Sequence, residues 1–495
     1  MSTKLVVTNN AAMLKKYEKE GLAAITAELA KMVTADKTRG ITTTIVDLNL
    51  TDAAKDKDYK DSIDTLYQKN LPDYMVLIGA TDVIPMQTLN MPEGISGDPD
   101  TDVPSDLPYA SETGYSTSID SFLNPTRVIG RIPDIVGSKD FTYLVSLLDT
   151  ASSWEGKVQK FYENYFGVSA AVWSNSSSLS VKNLYGDDAQ LFLSPPNGPD
   201  WQKSQVNALS HFINCHGAKN DPKYYGESNG AYPTAMDSDI MVDEVVFGTV
   251  AAAECCYGAL LFDPTLTSTK KSLSMVNAYL KARGYGFWGS TTVAYGPPVG
   301  NGQADLICQY FCIEVLKSAS LGRSALTAWQ TYIEKETPLS PIDKKTIAQF
   351  YLLGDPSIHP VQPTQKSISD ENDPESYNQG RDFRRHQLRT KGSLLPAHIV
   401  STVPTRQPLK DHLIDEIAKI AEKENVPIKN LQSYAYSIPG NSEYSAKTLR
   451  KITGHMMHII SSTEETPPEL HDKIVHLIIF EEGEKIIKYD RVESR

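Results

Sequence analysis

Two short segments of the sequence carry residue types that can perform nucleophilic chemistry. His216 is followed by a glycine and comes two residues after an apolar run at 211–214, while Cys255 and Cys256 come shortly after an apolar run at 246–253. A thiol is mostly protonated at neutral pH, and it becomes an effective nucleophile when a base such as imidazole lies beside it. A glycine beside such a pair lets a backbone N–H approach a substrate carbonyl oxygen closely. Together the two segments indicate acyl transfer by a cysteine and a histidine.

These segments can meet only if the runs before them are neighbouring strands of one sheet. Apolar runs alternate with helical patterns along most of the chain, which is typical of a parallel α/β sheet. The carboxyl ends of parallel strands form the ligand crevice of such a sheet, so residues that follow two strands converge there. The predicted fold class is α/β, with mostly parallel sheets flanked by helices in two side-by-side subdomains, plus a small C-terminal α/β domain.

Composition divides the chain into four parts. We predict an N-terminal α/β subdomain at 1–150 and a catalytic subdomain at 151–361. Aliphatic residues become scarce after Val361, and the stretch 362–394 is predicted to be a flexible linker with a basic second half. Residues 395–495 contain a helical pattern and three apolar strands, which is enough for a small regulatory or partner-binding domain.

The overall composition argues against several classes of function. The 495 residues contain 48 Lys and Arg against 61 Asp and Glu, a net charge of −13, whereas proteins that bind nucleic acids or anionic membranes in general are basic. No run approaches the ~20 apolar residues that a membrane span needs, and the N-terminus has no secretion signal, so a cytoplasmic protein is expected. Five cysteines without such a signal make a poor disulfide framework. No cofactor is expected, and a structural calcium ion cannot be read from the sequence.

The two segments resemble the catalytic signatures of clan CD cysteine peptidases, which include caspases, legumains and separases, and they are most similar to those of the gingipain family. Further segments match that family in the same order, and they are YMVLIGATDVIP (74–85), Ser105-Asp106 with Tyr109, VIGRIP (128–133) and FYLLGDPSIHP (350–360). The resemblance covers about residues 1–360 and does not reach 395–495. It implies a caspase-like fold and a thiol protease, a cysteine-type endopeptidase that performs limited proteolysis.

The resemblance also implies roles for individual residues. Cys255 would be the nucleophile and His216 the general base, while the backbone N–H groups of Gly217 and Cys255 would hold the oxyanion. The family reads Cys-x-x-Gly, which selects Cys255 because a glycine lies three residues after it. A caspase-like Cys-x-Gly pattern selects Cys256 instead, so Cys256 is the alternative nucleophile. Glu254 departs from the small residue that gingipains have there, and strand alternation points its side chain away from Cys255.

Members of the family often cleave after Arg or Lys, using a carboxylate at the bottom of the specificity pocket. Asp187 and Asp188, on a variable loop, are the candidates for that carboxylate. Ser290, Thr291 and Tyr295 follow the strand after the cysteine segment, where they could form a pocket wall and hydrogen-bond the substrate backbone. The expected reaction is therefore proteolysis after a basic residue.

The predicted linker offers targets for such an activity within the chain itself. Its arginines are candidate sites of autocleavage, and they are Arg381, Arg384, Arg385 and Arg389. A charged linker that is never cut is the simpler interpretation. The expected partners are protein substrates and a regulatory protein that binds through 395–495, with no direct contact to nucleic acid or membrane.

Three other interpretations of the same residues stay open. His216 could be an ordinary histidine at a strand end and the cysteines could be small core residues, which would leave a catalytically inactive caspase-fold scaffold or binding protein. A zinc site from Cys215, His216, Cys255 and Cys256 is disfavoured, because adjacent residues on a strand point in opposite directions. Four histidines of the C-terminal region are expected to be solvated rather than to bind a metal, namely His455, His458, His471 and His476.

Overall fold

The computed structural model describes most of the chain, and the described ranges are 2–336, 339–362, 405–406, 411–428, 431–435, 455–468, 470–483 and 485–495. Apart from residue 362, the linker predicted at 362–394 falls outside these ranges. The candidate autocleavage sites at Arg381, Arg384, Arg385 and Arg389 therefore lie outside the described residues.

A ten-stranded sheet forms the centre of the molecule. Its strands, in their order across the sheet, are β2 (Ile41–Asp47), β1 (Ser2–Thr8), β3 (Tyr74–Ile78), β6 (Ile129–Ile132), β16 (Phe350–Gly354), β14 (Gly286–Ser290), β13 (Val250–Ala253), β9 (Ser210–Asn214), β7 (Tyr165–Ala170) and β8 (Leu191–Ser194). The central strands β3, β13 and β14 are buried at every residue, as expected of a sheet covered on both faces.

This sheet consists of two parallel halves that run in opposite directions. From β2 to β16 every neighbouring pair is parallel, and from β14 to β8 every neighbouring pair is parallel as well. The halves meet at β14 and β16, which pair antiparallel. The mixed α/β, mostly parallel fold is confirmed. The division at residue 150 stays a prediction, and that residue lies inside a helix, Thr142–Ser153.

Helices connect and cover the strands. Those of the described residues are α1 (Asn10–Thr38), α2 (Asp56–Asn70), α3 (Thr142–Ser153), α4 (Lys160–Glu163), α5 (Ser174–Tyr185), α6 (Lys203–Val206), α7 (Ser238–Glu244), α8 (Met275–Lys281), α9 (Gln303–Leu316), α10 (Leu321–Glu336), α11 (Pro341–Gln349) and α12 (Asp411–Lys423). Across the described ranges, no helix combines the length with the apolar character that a membrane span requires.

Short strands form two smaller sheets outside the central sheet. Two of them form a hairpin, β4 (Gln87–Asn90) with β5 (Asp102–Ser105). Three others form a small antiparallel sheet, and they are β10 (His216–Gly217), β11 (Lys223–Tyr225) and β12 (Thr234–Asp237).

A separate antiparallel sheet lies near the C-terminus. Its order is β15 (Tyr295–Gly296), β21 (Lys485–Ser494), β20 (Lys473–Glu482), β19 (His455–Glu464), β18 (Gln432–Ala435) and β17 (Thr405–Arg406). Helix α12 packs on it through Leu413, Ile417 and Ala421, which meet Val475 and Ile479 of β20 in a second hydrophobic core. Because β15 comes from the catalytic region, this sheet joins the predicted regulatory domain to the predicted catalytic one.

A buried lysine links the first strand to the end of the central sheet. Lys4 on β1 is 2.5 Å from a carboxylate oxygen of Asp36 and 2.8 Å from one of Asp355, and all three side chains are inaccessible to solvent. Asp355 follows Gly354, whose φ of +138° and approach to the carbonyl oxygen of Tyr285 leave no space for a Cβ. The Gly-Asp-Pro-Ser turn thus closes the sheet and neutralises a charge in its core.

Candidate active site

His216 lies on β10, just beyond the carboxyl end of β9, and its side chain is buried. Its Nε2 is 2.8 Å from a carboxylate oxygen of Glu227. The imidazole packs against Trp173, with ring centroids 4.3 Å apart, and against Tyr232 at 5.2 Å. Burial lowers the pKa of His216 and Glu227 opposes that shift, so the ring is neutral at pH 7. Glu227 therefore fixes the orientation of the ring through Nε2.

The two cysteines after β13 have different surroundings, although both are buried. The Cys255 thiol interacts with the backbone of Cys215 inside the core. The sulfur of Cys256 accepts a hydrogen bond from the Ala294 N–H at 3.2 Å and lies 3.7 Å from Nε2 of His471. Burial raises the pKa of both thiols, so both are protonated at neutral pH in this arrangement.

The histidine and cysteine segments touch through their backbones. A Cβ on Gly217 would lie 1.9 Å from the carbonyl oxygen of Cys256 and 3.4 Å from Cβ of Cys255, so only glycine allows this approach. The contact is made possible by β9 and β13, which are adjacent parallel strands and deliver both segments to one edge of the sheet. After the cysteines the chain turns sharply at Tyr257, whose φ is 53°.

A groove beside these groups holds the last residues of the sequence, 492–495, which we call the terminal segment. In the groove, β21 pairs antiparallel with β15, so that Tyr295 is opposite Ser494 and Gly296 is opposite Glu493. The segment is therefore an extended strand added to the edge of β15, in the manner in which peptides add to an exposed strand.

The backbone of Arg495 ends this strand at the cysteine segment. Its N–H donates to the carbonyl oxygen of Ala294 at 3.0 Å. Its backbone oxygen accepts a hydrogen bond from the Cys256 N–H at 3.3 Å. The backbone oxygen of Arg495 is thus hydrogen-bonded to the N–H of Cys256, just beyond the carboxyl end of β13.

The side chain of Arg495 fills a fully buried pocket. Its Nη2 donates to both carboxylate oxygens of Asp305, at 3.1 and 3.2 Å, and to the carbonyl oxygen of Pro297 at 2.9 Å. The guanidinium carbon lies 4.5 Å from the centroid of the Trp173 ring. A Cβ on Gly296 would lie 2.3 Å from the same Nη2, so a larger residue there would close the pocket.

Glu254 is a second carboxyl group of this pocket. It is fully buried, and burial together with the charge of Asp305 raises its pKa well above the usual range, whereas Arg495 acts in the opposite direction. A protonated Glu254 leaves Asp305 to supply the negative charge. We call Trp173, Glu254, Gly296, Pro297 and Asp305 the arginine pocket.

The predicted wall residues hold the surrounding loops together. Ser290 donates from Oγ to the carbonyl oxygen of Cys255 at 2.8 Å, and Thr291 donates from Oγ1 to that of Pro104 at 2.7 Å. Tyr295 contributes its backbone to β15. Of the three, Tyr295 is the one that borders the terminal segment directly, and it does so through its main chain.

Asp187 and Asp188 lie in the loop before β8, at the edge of the ten-stranded sheet. Asp188 pairs with Lys182 at 2.8 Å, and Asp187 accepts a hydrogen bond from the backbone of its own loop. In the described part of the chain, the carboxylate that contacts the Arg495 guanidinium is Asp305.

The prediction that the C-terminal histidines are solvated is wrong where the structure describes their side chains. His458 and His476 are buried in the antiparallel sheet, because their strands pack on the core through the face that carries them. His471 is half-buried against Cys256 and Tyr257, and burial lowers its pKa to about 4. Among the described residues, no group of three or more His, Cys, Asp or Glu side chains is arranged to hold a metal ion.

Sequence reasoning missed Glu227, Trp173 and Asp305. Asp305 carries one signal, since it lies three residues after Gly302 at the start of α9 and accepts the Gly302 N–H at 3.2 Å, but that pattern indicates a helix cap rather than a pocket. Glu227 and Trp173 carry no local signal. They reach His216 only because β11 and the turn after β7 fold over the ends of the strands.

Comparison with known proteins returns few similarities. No family model matches the sequence, and no curated protein matches it. A solved structure described as "Structure of Protease" is similar with a TM-score of 0.49 and 13% identity, over 99% of this chain and 97% of that chain. The separase–securin complex of Saccharomyces cerevisiae is similar with a TM-score of 0.29 and 12% identity, over 48% of this chain and 14% of that chain. At such TM-scores neither likeness carries an argument, and the case for the site rests on its own geometry.

Proposed function

We propose that this protein is a cysteine endopeptidase that cleaves after a basic residue, with Cys256 as the nucleophile and His216 as the general base. The observation that carries the proposal is the position of Arg495. Its backbone oxygen accepts a hydrogen bond from the Cys256 N–H, while its guanidinium donates to the carboxylate of Asp305. A peptide bound in this way presents the carbonyl group of a basic residue to the cysteine segment. The sequence resemblance to clan CD cysteine peptidases points to the same class of enzyme.

The surroundings of the two thiols favour Cys256 over Cys255, the nucleophile that the family spacing selects. Cys255 is packed into the core beside Cys215. Cys256 borders the groove that holds Arg495, and the N–H that meets the Arg495 oxygen is its own. In acyl transfer the N–H of the attacking residue is well placed to hold the oxyanion that the attack creates.

We infer the following reaction for these groups. The Cys256 thiol gives its proton to Nδ1 of His216 as its sulfur bonds to the substrate carbonyl carbon, and the N–H groups of Cys256 and Gly217 hold the resulting oxyanion. The imidazolium protonates the leaving amine, the C–N bond breaks, and a thioester remains. Water then attacks the thioester carbonyl carbon and gives its proton to His216. The C–S bond breaks, the carboxylic acid is released, and His216 returns the proton to the Cys256 sulfur. Glu227 holds Nε2–H throughout and stabilises the imidazolium.

The arginine pocket supports the proposed preference for a basic residue. Asp305 supplies the negative charge, and the flat face of Trp173 lies beneath the planar guanidinium. The carbonyl oxygen of Pro297 accepts a further hydrogen bond from the same nitrogen. Because a planar guanidinium can stack on Trp173 while an ammonium is a compact, strongly hydrated charge, we expect Arg to be preferred over Lys.

The proposed role is limited proteolysis of protein substrates. Autocleavage at the linker arginines and control through residues 395–495, by themselves or with a protein partner, belong to this proposal. A protein that has the fold without the activity is the competing possibility, and the experiment below separates the two.

The test is a peptide-library cleavage profile recorded for the wild type and for single cysteine variants. We expect cleavage after Arg, a loss of kcat/KM of about 10³-fold or more in Cys256→Ala, and a small effect in Cys255→Ala. Cys308→Ala, which removes another buried thiol, is the matched control.

Two results would change the proposal. If Cys255→Ala loses activity and Cys256→Ala retains it, the nucleophile is Cys255, the residue that the family spacing selects. The variant Arg495→Ala removes the side chain that fills the arginine pocket. If neither the wild type nor this variant cleaves any peptide, the protein is the catalytically inactive scaffold.

A further inference from the structure

We propose that the terminal segment is an intramolecular inhibitor, which occupies the substrate groove as an extended peptide and must leave before a substrate can bind. The inference rests on the proposed function, because it takes the groove to be the place where substrate binds. The proposed inhibitor is part of this chain, because β21 of the C-terminal sheet ends at Cys256.

The register of the terminal segment is that of a bound peptide. Arg495 bonds to the carbonyl oxygen of Ala294, and two residues along the wall Gly296 is opposite Glu493. Alternate residues of the segment thus bond to alternate residues of the wall, which is how a strand added to a sheet edge is held. A substrate that used the same wall would need the same backbone groups, so the two peptides exclude each other.

Side-chain contacts anchor the segment at both ends. The Arg495 guanidinium fills the arginine pocket, and Glu493 accepts a hydrogen bond from the indole N–H of Trp173 at 2.6 Å. Trp173 also packs on His216, so the anchor lies directly against the proposed general base. Occupation of the pocket by Arg495 leaves no room there for the side chain of a substrate.

The C-terminal sheet also reaches the catalytic groups through two side chains outside the terminal segment. His471 lies 3.7 Å from the Cys256 sulfur. Lys473 lies 3.5 Å from the Glu227 carboxylate and 3.5 Å from that of Glu493, so it bridges the orienting carboxylate and the inhibitory strand. Withdrawal of the sheet would therefore release the groove, the thiol and Glu227 together.

The tether makes this inhibition effective without high intrinsic affinity. A segment in the same chain is present at an effective concentration that a free peptide substrate rarely reaches. Strands β20 and β21, each 10 residues long, form a continuous hairpin that holds the segment in position. Activation then requires an event that separates β21 from β15.

The test compares the wild type with Arg495→Ala in two assays, cleavage of an Arg-containing fluorogenic peptide and alkylation of Cys256 by iodoacetamide, followed by mass spectrometry. We expect both rates to rise by about 30-fold in Arg495→Ala, since truncating one partner of a buried ion pair costs a factor of this size in occupancy. Lys485→Ala, on the exposed end of the same strand, is the control and should leave both rates unchanged.

A second variant and a rescue keep the result interpretable. Glu493→Ala removes the contacts to Trp173 and Lys473, leaves Arg495 in place, and should raise both rates as well. Adding the peptide Val-Glu-Ser-Arg to Arg495→Ala should slow both reactions again, whereas Val-Glu-Ser-Ala should not. Circular dichroism of each variant shows that it is folded.

The outcomes separate the two proposals. Unchanged alkylation and unchanged cleavage in both variants would overturn the inhibitor. Faster alkylation without cleavage by any variant would support the proposal that the terminal segment blocks the groove. The same result would overturn the proposal that the protein is a peptidase.

Discussion

Asp305 performs two tasks at the residue scale. One oxygen of its carboxylate accepts the Gly302 N–H at the start of α9, at 3.2 Å, and both oxygens accept from Arg495. Ser176 donates to it from Oγ at 2.6 Å, which fixes its orientation. In the proposed peptidase, a helix cap that also contacts the guanidinium places the charge for specificity on a rigid helix end rather than on a loop.

The charge of Asp305 should determine the preference for Arg. We predict that Asp305→Asn lowers kcat/KM for a peptide with Arg at the cleavage site by about 100-fold or more, because the guanidinium is left buried without its counter-charge. A peptide with an uncharged residue at that position should be affected much less. Steady-state kinetics with the two peptides, measured in the Arg495→Ala background so that the groove is free, checks this.

Asp343 offers a matched control for that substitution. It occupies the same capping position in α11, where it accepts from the N–H of Ser340 at 2.8 Å. Asp343→Asn should perturb a helix cap without changing the ratio between the two peptides. An equal loss of the ratio in both variants would show that Asp305 acts through stability rather than through charge.

The sequence predicts that the candidate site lies at the strand ends, but it does not predict how the side chains beyond those ends are arranged. Alternation along β13 predicts that Glu254 and Cys255 point in opposite directions, but the strand ends at Ala253 and the chain turns at Tyr257, where φ is 53°. Which of two adjacent thiols borders the groove depends on that turn, and residue types alone do not specify it. Asp305 lies on another element and meets the cysteine segment only through the tertiary fold.

At the scale of elements, a buried ion cluster holds the wall of the groove. Lys345 on α11 is 2.5 Å from Asp98 and 3.0 Å from Asp100. Asp100 also accepts from the N–H of Val293 at 2.9 Å and from the hydroxyl of Tyr257 at 2.9 Å. The loop before β5 therefore ties the segment that leads into β15 to the turn after the cysteines.

We predict that Asp100→Ala lowers the free energy of unfolding by about 3 kcal/mol, because it leaves the buried Lys345 with one counter-charge and the Val293 N–H without an acceptor. Asp61→Ala is the control, since the Lys57–Asp61 pair is largely exposed and its loss should cost less than about 0.5 kcal/mol. Urea denaturation followed by tryptophan fluorescence measures both. Equal costs in the two variants would show that the cluster does not stabilise the fold.

The helices and strands could be predicted from the sequence better than the order in which the strands pair. The apolar run at 211–214 is β9 to within one residue, because local periodicity sets it. The position of β16 between β6 and β14, and the pairing of β15 with β21, join residues far apart in the chain. Strand order of that kind follows from the packing of the whole sheet, so no local pattern predicts it.

At the scale of the whole molecule, buried histidines make stability depend on pH. Burial lowers the pKa of His211, His359 and His471 to about 4 and that of His476 to about 3. Each binds a proton in the unfolded chain near pH 6.5 and resists protonation in the fold, so the unfolded state gains protons first as the pH falls. These histidines therefore leave the stability unchanged above about pH 6.5 and destabilise the fold progressively as the pH falls from there to about 4.

We predict that the melting temperature falls steeply between pH 7 and pH 5, with each of these histidines costing about 2 kcal/mol over that interval. Differential scanning calorimetry at several pH values measures the fall, and His476→Asn should make it shallower because one of the groups is gone. A melting temperature that does not change with pH over this range would contradict the assignment of neutral buried imidazoles.

The meeting of the two parallel halves at β14 and β16 has a consequence for the protein during its synthesis. β16 is the last strand of the central sheet to leave the ribosome, yet it occupies the middle of that sheet between β6 and β14. Until residues 350–354 emerge, β6 and β14 lack the strand that pairs with both of them. A nascent chain that pauses before that point exposes two edges that can recruit other chains, so the yield of native protein depends on how quickly this strand is delivered.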